Sequence, residues 1–286
     1  MNILVTGGAG FIGTNLIKQL IGRDHTIISL DNYSTGLKLN EIQDKRIVYS
    51  EGDVRNLSKY SHYYFSKIDL VFHLAAVARI QPSFKDPINY FETNANGTLA
   101  LANLCCKNNI PIIYAGSSSH HSGKFKNPYT FSKDVGEEIL ELYSKCFGLT
   151  YAVARFYNVY GPNQLSEGGY TTLIGRWINN IENGNVCEIY GDGEQRRDFT
   201  HVDDIVDALI SIMDKSAYGN TYELGRGKNI SVNQVAKMFG INPVYKPAKP
   251  GEARNTLCNS TLAKEILGWN PQKDLVNYIK NYLDEN

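Results

Sequence analysis

The chain of 286 residues has no net charge, because lysine plus arginine and aspartate plus glutamate each number 29. A surface without an excess of one sign does not attract nucleic acid or an anionic membrane, so we expect neither as a partner. No apolar run approaches the roughly 18 residues that a membrane-spanning helix requires. No basic leader precedes the first predicted strand, and together these absences predict a cytoplasmic protein.

Cysteine is also scarce. The five cysteines are odd in number and have no C-x-x-C spacing, which argues against a disulfide framework and against a zinc site. We therefore predict no metal centre and interpret the cysteines as reduced residues that pack in the interior. The hydrophobic content of 42% is ordinary for a globular protein, and a chain of this length suits two lobes that share one cleft.

Glycine, by contrast, is concentrated in a motif near the amino terminus. An apolar run over residues 2–5 predicts a buried strand, and Gly7, Gly10 and Gly13 follow it, overlapping an apolar stripe typical of a helix. Glycines in such a turn allow the backbone to approach a pyrophosphate, while the start of the helix offers unpaired N–H groups to its charge. The motif predicts a dinucleotide site, although ordinary tight turns also use glycine.

A carboxylate follows the second predicted strand, residues 26–30, at a place that discriminates between dinucleotides. Asp31 lies eighteen residues beyond Gly13. It can accept hydrogen bonds from an adenosine ribose there and would repel a 2′-phosphate, so NAD is favoured over NADP. Asp53 follows the third predicted strand, where it either faces adenine or caps the next helix.

The fourth predicted strand ends in His73 and leads into small residues at positions 74–76, which permit the close approach of a flat ring or a diphosphate. A histidine that ends a buried strand is more often structural than catalytic, and we interpret His73 in that way. Asn94 lies inside a predicted helix over residues 86–104, where asparagine is unfavourable. It should therefore bind a specific partner, either the cofactor's sugar or the edge of the sheet.

The fifth predicted strand, residues 110–115, leads to a run of serines and then to a tyrosine and a lysine. Tyr129 and Lys133 are four residues apart and share one face of a helix, where the ammonium can favour the ionised phenol. Tyr129 then becomes a usable base near neutral pH, and a serine at the strand tip can align a substrate hydroxyl beside it. Strands and helices alternate over residues 2–155, which predicts a doubly wound parallel sheet.

Together these motifs resemble the extended short-chain dehydrogenase/reductase family that acts on nucleotide sugars, as in UDP-hexose 4-epimerases. A tyrosine and a lysine at this spacing are common by chance, but their place after the fifth strand and behind a serine cluster makes the match specific. The resemblance covers essentially the whole chain. The matching segments are residues 6–13, 31–36, 52–55, 73–76, 129–133, 155–162, 191–199, 202–204 and 267–271.

The resemblance implies an α/β fold in which residues 1–165 form a Rossmann-type, doubly wound NAD-binding domain. Strand and helix segments return to that domain from about residues 185–215. Residues 166–286 form mainly a smaller C-terminal lobe that binds the nucleotide-sugar. The resemblance also implies a homodimer built from the helix through Leu99 and the helix after Tyr129.

It further implies NAD-dependent epimerisation at C4 through transient oxidation to a 4-keto sugar. Tyr129 acts as the base, Ser118 aligns the sugar hydroxyl, and Lys133 holds the nicotinamide ribose and lowers the pKa of the tyrosine. The motifs and the resemblance predict these cofactor-binding residues: Gly7, Gly10, Phe11, Ile12, Gly13, Asp31, Asn32, Ser34, Thr35, Gly36, Asp53, Val54, Leu74, Ala75, Ala76, Asn94, Tyr129, Lys133 and Tyr157. The predicted substrate-binding residues are Ser118, Ser119, Asn158, Arg197, Arg254 and Thr256, with surface ion pairs as the alternative role of the two arginines.

Two features bear on the sugar. Thr256 stands where family epimerases place a residue beside the sugar's 2-substituent, and its small size implies tolerance of both UDP-glucose/UDP-galactose and UDP-GlcNAc/UDP-GalNAc. Only five residues separate Gly123 from Tyr129, fewer than the family usually has, which predicts an open sugar pocket.

Two alternative functions remain. Dehydratases and decarboxylases of the family carry acidic residues where this chain has Ser119 and His120. A histidine also transfers protons, so a nucleotide-sugar 4,6-dehydratase or a UDP-glucuronate decarboxylase/epimerase stays an alternative. A non-catalytic NAD sensor is disfavoured because such proteins characteristically lack the pair Tyr129 and Lys133. His120 and His121 form an imidazole pair that is unusual for the family.

Overall fold

The computed structural model describes residues 1–59 and 65–285. Seven strands pair in parallel to form its central sheet. They are β1 Asn2–Thr6, β2 Thr26–Asp31, β3 Ile47–Glu51, β4 Leu70–His73, β5 Ile112–Ser117, β6 Tyr151–Phe156 and β11 Thr221–Leu224. Their order is β11-β6-β5-β4-β1-β2-β3, so the predicted doubly wound parallel sheet is confirmed.

Helices connect these strands and cover both faces of the sheet. The α-helices are α1 Phe11–Ile21, α2 Ile80–Lys85, α3 Pro87–Tyr90, α4 Gly97–Asn108, α5 Pro128–Phe147, α6 Leu173–Glu182, α7 Val202–Asp214, α8 Val232–Met238 and α9 Leu275–Glu285. Short 3₁₀ turns occupy Lys38–Asn40, Val54–Lys59 and Ser118–Ser122, and π-helical turns occupy Phe91–Asn96 and Ala263–Leu267. Among the described residues, no helix is both long enough and apolar enough to cross a membrane.

The remaining strands form three two-stranded sheets outside the central one. They pair β7 Val159–Tyr160 with β10 Thr200–His201, β8 Glu188–Tyr190 with β13 Val244–Lys246, and β9 Arg196–Asp198 with β12 Asn229–Ser231. A separate apolar cluster around the buried side chains of Trp177 and Phe239 supports this second region.

Each face of the central sheet buries its own apolar cluster. α1 and α7 cover one face, where Leu16 and Leu209 are fully buried. α4 and α5 cover the other, through Leu101 and Leu140. Full burial of one such side chain stabilises the fold by roughly 1.5–3 kcal/mol. Burial from both sides explains why the strands read as nearly continuous apolar runs.

The helix that carries Tyr129 is defined at both ends by its sequence. The side chain of Asn127 accepts the N–H of Thr130 at 2.8 Å, and Pro128 occupies the first helical position. The helix ends at Gly148, which has a left-handed conformation. Asparagine at the N-cap, proline at N1 and glycine at the end are the residues that these positions favour.

Two predicted boundaries differ from the structure. The strand that returns to the central sheet is β11, at residues 221–224 and beyond the predicted 185–215, because Tyr222 and Leu224 are buried against β6. β8 lies inside the predicted segment but pairs with β13 instead. The single helix predicted over residues 86–104 is interrupted by the π-helical turn, which contains the buried Asn94.

His73 is structural in its contacts, in agreement with the interpretation from sequence. Its Nδ1 lies 2.8 Å from Thr6 Oγ1 and its Nε2 lies 3.0 Å from Thr98 Oγ1, so both ring nitrogens have partners. The residue is 1% exposed, and burial lowers the pKa of His73 from 6.5 to about 3. The folded protein therefore holds a neutral imidazole between β1, β4 and α4.

This burial predicts a loss of stability in acid. Between the pKa of about 3 in the folded protein and 6.5 in the unfolded chain, only the unfolded chain binds the proton, so stability falls as the pH is lowered through that window. In urea unfolding at pH 7, 6 and 5, His73→Gln should flatten the pH dependence, by about half of 1.4 kcal/mol between pH 7 and 6 and by nearly the full 1.4 kcal/mol between pH 6 and 5. Equal pH dependence in the two proteins would contradict the assignment.

Candidate active site

The loop after β1 passes so close to the loop after β4 that it requires glycine. Gly7 has a φ of +73°, and a β-carbon there would lie 2.8 Å from the backbone nitrogen of Ala75. A β-carbon on Gly13 would lie 2.2 Å from the carbonyl oxygen of Gly7. The predicted small residues Leu74 to Ala76 therefore lie against the glycine loop, and the two predicted cofactor segments form one surface.

α1 begins at this loop with an uncapped amino end. Its N-cap residue is Gly10, which has no side chain to accept a hydrogen bond. The N–H groups of Phe11, Ile12 and Gly13 have no acceptor among the described residues. Free N–H groups and the positive end of the helix dipole suit the negative charge of a diphosphate.

Asp31 ends β2 and ties the glycine loop to the following turn. Its buried carboxylate accepts the backbone N–H groups of Ala9 and Tyr33 at 3.0 and 2.8 Å. A β-carbon on Gly36 would lie 2.8 Å from this carboxylate, so the turn crosses directly over it. Burial raises the pKa of Asp31. A carboxylate offers about four acceptor sites, which leaves capacity for the hydroxyls of a ribose.

Asn32 joins this turn to the loop after β3. Its Nδ2 donates to Asp53 at 2.8 Å, and its Oδ1 accepts the N–H of Ser34 at 3.0 Å. Asp53 also accepts the backbone N–H of Arg55, and its side-chain hydrogen bonds from the Arg55 guanidinium lower its pKa to about 2. Asp53 therefore caps the turn Val54–Lys59, which is one of its two predicted roles.

Tyr129 lies in the first turn of α5 and reaches the end of β5. Its hydroxyl donates to Ser117 Oγ at 3.2 Å, and its ring meets that of Tyr90 edge-on with centroids 6.1 Å apart. Burial raises the pKa of Tyr129, while the hydrogen bond to Ser117 and the charge of Arg79 lower it. The phenol is thus removed from water, with a hydroxyl and a cation placed to stabilise its ionised form.

The serine in contact with Tyr129 is Ser117, one residue before Ser118, the serine predicted to align the sugar hydroxyl. Ser117 Oγ also lies 2.9 Å from Ser119 Oγ and accepts the N–H of Ser119 at 3.2 Å. β5 runs two residues further than predicted, and successive side chains of a strand point to opposite faces, so only one of the neighbouring serines can face the tyrosine. Ser118 begins the following 3₁₀ turn and is partly exposed, and its contact with substrate stays a prediction.

Lys133 lies one turn beyond Tyr129 and is 3% exposed. Its Nζ lies 4.1 Å from the centre of the Tyr114 ring, a cation–π contact. Burial lowers the pKa of Lys133 to about 7, whereas Glu137 raises it. The charge of Arg79 also lowers the pKa of Tyr129, so Arg79 is a second cation beside the predicted Lys133, whose effect on Tyr129 stays a prediction.

Asn94 connects the loop after β4 to α5. Its Oδ1 accepts the N–H of Val77 at 2.8 Å, and its Nδ2 donates to the carbonyl oxygen of Val77 at 3.0 Å and to Ser132 Oγ at 2.9 Å. These partners lie in the loop after β4 and in α5, so in this structure Asn94 joins a loop to a helix beside the sheet. Both amide hydrogens are engaged there, so neither is free for a cofactor.

Two predicted substrate residues from distant parts of the chain meet in the second region. Asn158 Nδ2 donates to Thr256 Oγ1 at 3.3 Å and to the carbonyl oxygen of Asp198 at 3.0 Å. Thr256 Oγ1 also accepts the N–H of Asp198 at 3.3 Å. Asn158 has a φ of +33°, which is uncommon for a residue with a side chain.

The two predicted arginines have different surroundings. Arg197 has a side chain 14% exposed, with Nη2 at 3.6 Å from Glu252. Arg254 has a side chain 65% exposed and binds the carboxylate of Asp192 through two hydrogen bonds of 2.7 and 2.9 Å. Arg254 therefore forms a surface ion pair, which is the alternative to the predicted contact with substrate. Lys249 is partly buried nearby. The charge of Glu252 raises the pKa of both Lys249 and Arg197.

The unusual histidine pair is held by two carboxylates. His120 Nδ1 lies 3.0 Å from Asp134 Oδ1, and His121 Nε2 lies 2.9 Å from Glu223 Oε1. The hydroxyl of Tyr157, a predicted cofactor residue, donates to the other oxygen of Glu223 at 2.8 Å. Tyr157 is 2% exposed, so its hydroxyl is hydrogen-bonded inside the protein.

Comparison with known proteins gives the family. The model of the NAD dependent epimerase/dehydratase family matches residues 3–225. The chain belongs to this family. A putative UDP-glucose 4-epimerase of Methanocaldococcus jannaschii is 32% identical to it, over 98% of this chain and 98% of the other. A UDP-N-acetyl-alpha-D-glucosaminuronate decarboxylase of Bacillus cytotoxicus is also 32% identical, over 82% of this chain and 78% of the other.

A solved structure agrees with this assignment. The UDP-glucose 4-epimerase of Thermotoga maritima, crystallised with UDP-glucose, matches 100% of this chain with 99% of its own at a TM-score of 0.91 and 32% identity. NAD is the cofactor of the family. The uncapped start of α1, the glycine contacts that a β-carbon would fill, and the spare acceptor capacity of Asp31 all fit a dinucleotide.

Sequence reasoning missed several residues of the site. Arg79 and Lys249 belong to no motif, and Tyr90 lies in the predicted helix over residues 86–104 without any signal of its own, so only the fold brings these side chains together. Ser117 was within the serine run but one position before the one selected. Among residues 1–59 and 65–285 no group of three or more His, Cys, Asp or Glu side chains converges as a metal site would.

Proposed function

We propose that the protein epimerises a UDP-sugar at C4 through a transient 4-keto sugar. The observation that carries this proposal is the Tyr129 hydroxyl at 3.2 Å from Ser117 Oγ, at the end of β5. This is the sheet edge where the glycine loop lies, so a sugar and a nicotinamide ring can meet there. Relatives named as UDP-glucose 4-epimerases support the same reaction.

Bound NAD supplies a hydride acceptor, and later a hydride donor, for C4 of the sugar. Tyr129 takes the proton of the C4 hydroxyl as the C4–H bond breaks, and it returns a proton to the same oxygen on reduction. Ser117 holds the phenol, and Ser118 aligns the sugar oxygen beside it. Lys133 holds the nicotinamide ribose. The 4-keto sugar turns over in the pocket between the two steps, so the cycle is redox-neutral.

The second region supplies the substrate contacts in this proposal. Asn158 and Thr256, in mutual contact at 3.3 Å, line the sugar, and Arg197 holds the diphosphate as a largely buried guanidinium. Residues 1–165, together with α7 and β11, form the NAD-binding domain, and most of residues 166–286 form the substrate lobe. The small side chain of Thr256 leaves room for either a hydroxyl or an N-acetyl group at C2.

The short link before Tyr129 supports an open pocket. Its residue Phe125 is 84% exposed. Gly123 has a φ of +108°, and a β-carbon there would have no other atom within 4 Å. A sugar that must present first one face and then the other to the cofactor needs such space. The link therefore suits an epimerase.

A second candidate is a dehydratase or decarboxylase on the same scaffold. The observation that favours it is His120 at 3.0 Å from the buried carboxylate of Asp134, because a histidine held by a carboxylate transfers protons. Incubation with UDP-glucose, UDP-GlcNAc and UDP-glucuronate, with products identified by NMR, separates an epimer from a 4-keto-6-deoxy sugar or a pentose.

We also propose a homodimer formed by α4 and α5, located in the cytoplasm. These helices pack against each other and expose Leu99, Leu142 and Phe147, at 40%, 53% and 63%. Apolar side chains on two adjacent helices suit a four-helix interface with a second copy. The five cysteines are unpaired, in keeping with a reducing compartment.

Tyr129→Phe should abolish the chemistry while keeping the fold and the cofactor. The phenol is the proposed proton acceptor, so turnover of UDP-glucose should fall about 10²- to 10⁴-fold. NAD released on denaturation and the far-UV circular dichroism should match the wild type. Tyr245→Phe, at an exposed tyrosine of the second lobe, serves as the matched control. Turnover of Tyr129→Phe at the wild-type rate would contradict the mechanism.

Thr256→Tyr should act on the sugar's 2-substituent. A bulkier side chain should lower kcat/KM for UDP-GlcNAc about 10- to 200-fold more than for UDP-glucose. Thr256→Val keeps the size but removes the hydroxyl that binds Asn158, so it separates steric exclusion from loss of that hydrogen bond. Equal losses on both sugars in Thr256→Tyr would show that this residue does not line the pocket.

Light scattering at micromolar concentration should give the mass of a dimer. Leu99→Glu combined with Leu142→Glu should convert it to a monomer, because the proposed interface would then bury charge. Leu283→Glu, at an apolar residue that is 42% exposed on α9, is the control and should stay dimeric. A wild-type monomer would contradict the proposed assembly.

A further inference from the structure

Arg79 is a cation beside Tyr129, and in the part of the chain that the structure describes no carboxylate pairs with it. It lies between β4 and α2, is only partly exposed, and donates from Nε to the carbonyl oxygen of Tyr170 at 3.1 Å. Across residues 1–59 and 65–285, no carboxylate approaches it to ion-pair distance. Because desolvation of a charge is costly, charges removed from water are normally paired. An unpaired guanidinium in a cleft therefore marks the place of an anionic ligand.

The backbone at Arg79 is fastened in an unfavourable conformation. Its φ is +86°, a value that side-chain-bearing residues rarely adopt. The hydroxyl of Tyr90 donates to the carbonyl oxygens of Ala78 and Arg79 at 2.6 and 2.9 Å, and the Tyr90 ring meets Tyr129 at 6.1 Å. One tyrosine thus connects Arg79 to the proposed base. Strain that is maintained at such a place is typical of ligand-binding positions.

The charges that act on Arg79 have both signs. Burial lowers its pKa, and the nearby charge of Arg176 adds to this effect. The carboxylate that opposes these cations is Glu252, which also lies 3.6 Å from Arg197. Within the described residues Glu252 acts on both Arg79 and Arg197, so one carboxylate is shared between two guanidinium groups.

We infer that Arg79 binds a carboxylate at C6 of the sugar, so that the substrate is a nucleotide-activated uronate. The inference rests on the proposed function, because it takes Tyr129 to mark C4. On a pyranose ring C1, which carries the diphosphate, lies opposite C4, whereas C5 and its C6 group are adjacent to C4. The anion near Tyr129 is therefore not the diphosphate. A carboxylate at C6 is the charged group that a hexose places there.

The test measures binding separately from turnover. Calorimetry in the Tyr129→Phe background, with NAD bound, compares UDP-glucuronate with UDP-glucose. UDP-glucuronate should bind about 10- to 100-fold more tightly, as expected for a charge-assisted hydrogen bond. Arg79→Gly suits a φ of +86° and should remove most of that preference, and Arg79→Lys should keep part of it. Arg23→Gln, which removes a positive charge at the opposite edge of the sheet, should leave the preference unchanged.

The possible failures are distinguishable. Equal affinity for the two sugars, or equal loss of both in Arg79→Gly, would overturn the role of Arg79 and leave C4 epimerisation standing. A preference for UDP-glucuronate that depends on Arg79, with no C4 epimer formed by the wild type, would uphold the carboxylate site and reject the epimerase. Binding of neither sugar by the NAD-loaded protein would overturn both.

Discussion

Parallel pairing of the central strands is the constraint on which the candidate site depends. Every strand of the sheet ends at the same edge, so the glycine loop, Asp31, the loop at residues 74–76 and Ser117 all converge there. The convergence is tight enough to exclude side chains, since a β-carbon at Gly7 would lie 2.8 Å from the next loop. Because these segments meet at one edge, a diphosphate can reach the free N–H groups of α1 while a sugar reaches Tyr129.

Much of this edge was predictable from sequence because it is encoded locally. Strand ends, glycine spacing and the separation of Tyr129 from Lys133 each lie within a few residues of the chain, and the doubly wound parallel sheet agrees with expectation. The structure adds to the prediction where one residue or one rotamer matters. Ser117 rather than Ser118 contacts the base because β5 runs further than its apolar pattern. Lys133 lies over the Tyr114 ring, a cation–π contact between residues 19 apart that no local pattern predicts.

Contacts between distant segments could not be predicted from sequence. Arg79 reaches Tyr170 and Tyr90 reaches the carbonyl oxygens beside Arg79, and neither pair has a sequence pattern. The return of β11 to the sheet has the same origin, since a four-residue strand carries too little periodicity to identify its neighbour. The predicted cofactor residues follow the ends of successive strands, whereas the predicted substrate residues lie in loops that are far apart in sequence. The sequence therefore identifies the cofactor residues more clearly than the substrate residues.

One buried carboxylate holds together the separate loops that carry the proposed sugar contacts. Asp198 is fully buried, and its carboxylate accepts backbone N–H groups from Arg226, Gly227 and Cys258 at 2.9, 2.9 and 3.1 Å. Its own backbone binds Asn158 and Thr256, so both proposed sugar contacts are anchored to one residue of β9. The two contacts are therefore held rigidly relative to each other. Asn158 also follows β6 directly, and Phe156 of β6 pairs with Ser117 of β5, which binds Tyr129, so the central sheet fixes these sugar contacts relative to the proposed base.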